Sequence, residues 1–500
     1  MSVRSVPVAD VVVVGSGPNG LAAAVTLARA GLSVQVLESQ DTIGGGARTL
    51  DLGLAPGIVH DICSAAHPLA LASPFFAAFD VAARGVRAIA PVASYAQPLD
   101  DQPAAIAWRD VERTADGLGT DGPIWRALLG TLARHQDLVV ELALGDKRSV
   151  PPELLTPRTL AAAPVFGALV GLQGTPAWDL PFRTERARAL LGGVAAHAIG
   201  PMPSLAMAAT AGLLGTIGHG VGWPIPVGGS QSIIDVLVAD LIAHGGSVHT
   251  GRHVRSWRDV PPARAVLLDT PAPAAADILA NRLPASLERA LRRFPHGDGA
   301  AKVDFVLSGP VPWRDPEVAE AGTQHLGGTR AQMAQAEAEV AAGRLPARPM
   351  TLVSDPAVVD PGRIHGGLRP LWAYAHVPAG DTTDPTELVT AQIERFAPGF
   401  RDLIVASRGI PASEMVRHNP ALVGGDISMG RVTMAGMIAR PTARLDPYRL
   451  AETGWYLCSQ ATPPGPGVHG MSGWHAARRV LAREFGITQL PDLSPSAARD

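Results

Sequence analysis

The run Asp10-Val11-Val12-Val13-Val14-Gly15-Ser16-Gly17-Pro18-Asn19-Gly20 constrains the fold of this chain more than any other segment. Four consecutive valines read as a strand buried on both faces, and the glycines behind them require a tight turn straight into a helix. Gly15 permits the turn, Gly17 lets backbone approach a phosphate, and Gly20 lets the helix pack closely on the strand, with Pro18 and Asn19 in the same turn counted among the cofactor-binding residues. The helix predicted from Leu21 to Ala30 stops at Gly31. A second strand, Ser33 to Leu37, delivers Glu38 to a position 38 − 20 = 18 residues beyond Gly20. An acid there is placed to bond the ribose of a dinucleotide whose pyrophosphate rests on the helix N-terminus.

Behind Glu38 come Ser39-Gln40-Asp41-Thr42-Ile43 and then Gly44-Gly45-Gly46-Ala47-Arg48-Thr49. The N–H groups of Gly45 and Gly46 and the Arg48 guanidinium are suited to a second face of a pyrophosphate. NAD-dependent dehydrogenases have no need of this element. Its pairing with the first glycine turn resembles the FAD-binding oxidoreductases related to glutathione reductase and the amine oxidases. That resemblance implies FAD as cofactor, bound by an α/β, Rossmann-like domain with an inserted α+β substrate domain.

Apolar residues make up 47% of the 500 positions and charged ones 17%, below the roughly 25% typical of soluble domains. Large buried surfaces or an apolar cavity should follow. The net charge of −3, without a basic block, argues against nucleic-acid binding. Cys63 and Cys458 lie too far apart in sequence for a Cys-x-x-Cys redox centre, the histidines are too scattered for a metal cluster, and Lys147 and Lys302 are the only lysines. Met1 to Ala9 lack the apolar core of a signal peptide. The weakly polar stretch Ser204 to Ile217 falls short of the roughly 20 residues of a membrane span. We expect a cytoplasmic protein in which that stretch is a buried helix beside a substrate channel, with peripheral membrane contact and homo-oligomer formation left open.

The cofactor domain is expected in three pieces, residues 1–75, 222–299 and 421–490, with residues 76–221 and 300–420 forming the substrate domain and 491–500 a tail that frays from Ser494. In the second piece a helix is predicted from Gln231 to Ala243, strand character at Val248, Thr250 and Val254, and a strand from Ala265 to Thr270. Val254 is placed to offer backbone groups to adenine. The third piece carries a strand, Gly454 to Cys458, and a second glycine turn, Gly465-Pro466-Gly467-Val468-His469-Gly470, leading into a helix from Met471 to Phe485. Without a following strand and acid this turn is no separate NAD site, and its helix dipole suits the flavin end of the same cofactor. In the second insert, Ala301 to Leu307 and Leu371 to Val377 alternate like strands, Thr323 to Thr329 reads as a loop, and Arg330 to Ala342 as a helix.

With these pieces the chain resembles the phytoene desaturase-like branch of FAD oxidoreductases, which includes carotenoid desaturases, retinol saturase and the pyridine nucleotide-disulfide oxidoreductase domain proteins. The most specific stretches are Gly15 to Leu21, Gly44 to Thr49, Pro224 to Gly229, Gly424-Gly425-Asp426 and Pro466 to Met471. The resemblance implies that Gly15, Gly17 and Gly20 hold the pyrophosphate, Glu38 the ribose, Arg48 the phosphate or ribityl region, and Val254 the adenine, with Val468 and His469 beside the flavin pyrimidine. Related proteins often carry Gly-Asp or Gly-Glu after the last strand, where this chain has Ser459-Gln460. The implied reaction is hydride exchange between flavin N5 and a carbon of an apolar, isoprenoid or polyene substrate, with oxygen or a quinone as electron acceptor.

Two residues stand as catalytic candidates. His469 is one. Lys302, ten residues before Pro312-Trp313, resembles the amine oxidase lysine that holds a water at N5, against the alternative of an exposed strand lysine. His67, His376 and Asp426 are weaker candidates for the site wall. The competing readings are an amine oxidase-like flavoenzyme and a catalytically idle FAD-binding scaffold or redox sensor.

Overall fold

The computed structural model describes residues 9–146, 157–451 and 454–495. Residues 1–8, where a leader was sought, and Lys147 lie outside the described residues, as do the last five positions of the expected tail. Two large sheets organise the rest. The first has six strands in the order Arg449–Ala451, Trp455–Leu457, Ala263–Leu268, Ala9–Val14, Val34–Leu37 and Ser247–His249. All neighbours pair in parallel except the Arg449–Ala451 edge. The valine strand is central, and Val11, Val12 and Val13 are wholly buried because both faces are covered.

Helices Pro18–Arg29, Gln231–Ala243 and Met471–Glu484 pack together on one face of this sheet. Gly473 permits the closest approach, since a Cβ there would lie 1.8 Å from the Asn19 carbonyl oxygen. Strand character ends at His249, so Thr250 and Val254 sit in a loop and not in the strand expected from their alternation. That loop is pinned instead by the Arg252 N–H donating to the Glu38 carbonyl at 2.7 Å.

Seven strands make the second sheet: Ile404–Ile410, Gly299–Leu307, Arg369–Val377, Thr351–Ser354, Thr323–Leu326, Ala93–Gln97 and Ala105–Trp108. Thr323–Leu326 is therefore a strand where a loop was expected. It pairs antiparallel with Thr351–Ser354 and stands beside Ala93–Gln97, a long-range partnership that local glycine and threonine content does not reveal. One face of the sheet is apolar and packs on helix Thr386–Phe396. The opposite face carries cross-strand rows Asp304, Trp372, Ser354, Thr323 and Lys302, Tyr374, Leu352, His325. Helix Leu205–Gly218 occupies the apolar Ser204 to Ile217 stretch, as expected. The start of the expected tail is tied down: Leu493 is buried and Arg29 donates to the carbonyls of Asp492 and Ser494.

Candidate active site

The parallel strands ending at Val14, Leu37 and Leu268 deliver Gly15, Glu38 and Asp269 to one edge of the first sheet, where ligands of doubly wound folds bind. A cavity of about 980 Å³ opens there and runs to the face of the second sheet. Of the residues expected to hold a cofactor, Gly15, Gly17, Pro18, Asn19, Glu38, Ser39, Gly45, Gly46, Arg48, Val254, Gly467 and Val468 all lie on its wall. Gly20 stands behind the wall. A Cβ there would lie 2.4 Å from the Gly15 carbonyl oxygen, so its role is the close helix–strand contact. The two N-terminal glycine turns touch: a Cβ on Gly45 would meet the Gly17 Cα at 3.0 Å.

Both oxygens of the Glu38 carboxylate are engaged by backbone. Oε2 accepts from the Ser16 N–H at 2.9 Å and the Ser16 hydroxyl at 2.6 Å, and Oε1 accepts from the Gln40 N–H at 2.8 Å. The Ser39 hydroxyl also donates to Oε1, at 3.2 Å, so protein donors meet all four acceptor sites of the carboxylate, and this longest bond is the one a ligand hydroxyl would replace. Arg48 ties its own glycine cluster to the end of the distant helix Met415–His418, donating to the Gly45 carbonyl at 2.8 Å, the Thr42 hydroxyl at 2.8 Å and the His418 carbonyl at 2.5 Å. Burial lowers its pKa, and Glu38 opposes that shift.

Asp269 is the acid that the sequence reading passed over. It follows the strand Ala263–Leu268 as Glu38 follows Val34–Leu37, and that shared strand-end position was the available signal. Its Oδ2 accepts from the Gly20 N–H at 3.0 Å. Desolvation raises its pKa to about 7, with Glu38 adding to the rise and the Gly20 and Gly17 N–H groups opposing it.

Neither catalytic candidate reaches the cavity wall. His469 folds back into its own turn, where Nδ1 accepts from the Met471 N–H at 3.0 Å and Nε2 faces the Gly465 carbonyl at 3.1 Å. These bonds make it a clamp on the start of the last helix, and burial lowers its pKa to about 4. Lys302 is neither exposed nor on the wall; it is buried in an ion pair with Asp304 two residues along the same strand face. Trp372 and Tyr374 stand on the wall in that part of the sheet, with parallel rings 5.7 Å apart. Cys63, a free thiol, also lines the cavity.

Of the weaker candidates only His67 is on the wall. Its Nε2 lies 2.7 Å from the Ser230 hydroxyl, which itself donates to the Ser64 carbonyl, so His67 is the donor. The Ser230 N–H donates to Asp61, which pairs with Arg363 at 3.1 Å. Burial holds His67 neutral, with a pKa of about 4. His376 bonds Glu337 behind the wall, and Asp426 accepts the N–H groups of Gly297, Ser428 and Gly430. Among the described residues no group of His, Cys, Asp and Glu could hold a metal ion.

A glycine cradle at the strand ends, with a chamber beyond it, defines an α/β fold with a Rossmann-like dinucleotide-binding domain. Residues 13–80 match the NAD(P)-binding Rossmann-like domain family. The chain is 26% identical to an uncharacterized protein of Mycobacterium tuberculosis, over 95% of this chain and 97% of that one. With pyridine nucleotide-disulfide oxidoreductase domain-containing protein 2 of Rattus norvegicus it shares 22% identity, over 95% and 94%. Among solved structures, putrescine oxidase bound to putrescine is similar with a TM-score of 0.59 at 18% identity, covering 95% of this chain and 99% of that one. No helix among the described residues is long and apolar enough to cross a membrane.

Proposed function

We propose that this protein is an FAD-dependent oxidoreductase acting on a neutral, apolar substrate of isoprenoid or polyene type, with oxygen or a quinone accepting the electrons. The residues of the glycine cradle fit the cofactor. Asn19 Oδ1 is buried there without a partner, and the approach of Gly17 to Gly45 leaves a backbone-lined cleft that side chains would fill. Gly15, Gly17, Gly45 and Gly46 would hold the pyrophosphate, Glu38 the ribose and Val254 the adenine. Gly467 and Val468 would flank the ring. When bound, FAD supplies the hydride chemistry at carbon. The chain's own task is to hold the substrate and exclude water. In this reading residues 1–75, 222–299 and 421–490 hold the cofactor, and residues 76–221 and 300–420 shape the chamber.

The distribution of charge on the wall carries the substrate reading. Glu38, Arg48, Arg252, Arg255, Asp269 and Asp277 all belong to the cradle end. Beyond them the described wall has no Asp, Glu, Lys or Arg, and is built from residues such as Phe166, Val170, Leu213, Leu214, Met429 and Val432. An ammonium substrate would be buried there without a counter-charge, at a cost of several kcal/mol. An amine oxidase remains the second reading because the Trp372 and Tyr374 rings stand parallel on the wall and the fold is shared with putrescine oxidase. Anaerobic mixing with polyenes and with putrescine or cyclohexylamine decides between them. Bleaching of the flavin band by a polyene supports the first reading and bleaching by an amine the second. If a broad panel of both leaves the band unchanged, an idle FAD-binding scaffold or sensor is the better account.

A further inference from the structure

The charge-free chamber holds one histidine with a ring nitrogen open to it. His197 lies on the wall, with its ring edge-on to Trp223 at 5.2 Å and to His325 at 5.0 Å. Its Nε2 is 2.9 Å from His325 Nε2, so one ring donates to the other. His325 Nδ1 is buried with no partner. Were His197 the donor, neutral His325 would carry its hydrogen on that Nδ1 as a buried N–H with nothing to accept it. Leaving a bare lone pair there is the cheaper arrangement. His325 therefore donates, His197 accepts at Nε2, and the His197 hydrogen sits on Nδ1, which is neither bonded to protein nor enclosed by it.

Burial keeps both rings unprotonated, lowering His197 to about 3 and His325 well below the usual range, with His376 adding to both shifts. Thr323 Oγ1 and Trp372 Nε1 also lack partners, but both atoms are enclosed by protein and do not face the chamber. The His197 N–H thus borders a region whose described wall residues include no Lys or Arg.

We propose that His197, oriented by His325, is a specificity-determining hydrogen-bond donor for an uncharged carbonyl oxygen on an otherwise apolar substrate. This rests on the reading of the chamber as the substrate site and narrows its substrate class to enones, ketones and esters of apolar skeletons. A carboxylate is disfavoured because no cation among the described residues of this part of the wall would neutralise it.

Equilibrium dialysis of the holoprotein with benzophenone, diphenylmethane and diphenylacetate tests it, since the first two differ only by a carbonyl in place of a methylene. The expected result is benzophenone held about tenfold more tightly than diphenylmethane, the worth of one well-made hydrogen bond. In His197→Phe that preference disappears while diphenylmethane affinity stays the same. In His325→Phe it weakens, because the ring is free to present its lone pair; this variant serves if the first does not fold by circular dichroism. Equal affinity for the two neutral ligands in the wild type would overturn the proposal, as would a preference that survives in His197→Phe or diphenylacetate binding more tightly than benzophenone. The flavin absorbance of the same samples reports separately on the cofactor reading.

Discussion

The two ends of the cavity are built on different rules. At the cradle end, position is set by backbone: Gly15, Gly17, Gly20 and Gly45 act through the side chains they lack, and each lies within a few residues of a strand end. At the chamber end, position is set by side chains that face one another only because Thr323–Leu326, Thr351–Ser354 and Arg369–Val377 pair across long stretches of sequence. Glycine spacing is a local signal and can be read along the chain. A cross-strand row is not, because its members become neighbours only after the sheet forms.

The contrast predicts where the molecule breaks. Gly20→Val should have the largest effect, since a Cβ would meet the Gly15 carbonyl oxygen at 2.4 Å and Asp269 Oδ2 at 3.0 Å. We expect loss of FAD binding in a fluorescence titration and destabilisation of roughly 3 kcal/mol or more.

Lys302→Met comes next and probes the chamber end. It leaves Asp304 buried without its counter-ion, which should cost about 3–5 kcal/mol in denaturant unfolding. Lys302→Met combined with Asp304→Leu should recover most of that loss, with flavin reoxidation by oxygen unchanged. Slow reoxidation in the double variant would return Lys302 to a direct role.

Asp269 gives a smaller, pH-dependent effect at the cradle. Its pKa rises from 3.8 unfolded to about 7 folded. Between those values the native state keeps a proton that the unfolded chain has lost, so its contribution is full below about pH 4 and is lost as pH rises through about 7. The loss is roughly 4 kcal/mol at most. Melting curves of Asp269→Asn should show a flatter pH slope than the wild type over that range. Val254→Ala should be the mildest change, shifting FAD affinity by less than about 1 kcal/mol if backbone and not the side chain meets the adenine.

What could be read from sequence follows the same division. The valine strand, the Pro18–Arg29 helix, the Glu38 strand end and the Leu205–Gly218 helix all arise from local pattern. Asp269 was missed although its strand was seen, because no glycine turn follows it to mark that strand end as a ligand site. His469 and Lys302 looked like chemistry since both are ionisable and sit in motifs. The fold uses one to clamp a helix start and the other to neutralise Asp304. The His197 and His325 pair left no trace in sequence, with 325 − 197 = 128 residues between its members.

The central claim is that the glycine cradle holds FAD while the charge-free chamber beyond it takes the substrate. Its most direct test is the absorbance spectrum of the purified protein, together with the mass of whatever denaturation releases from it. The account predicts a flavin spectrum and FAD near one per chain, either as purified or after reconstitution. A colourless protein that refuses FAD, or that binds NAD(P) in the cradle instead, would contradict it.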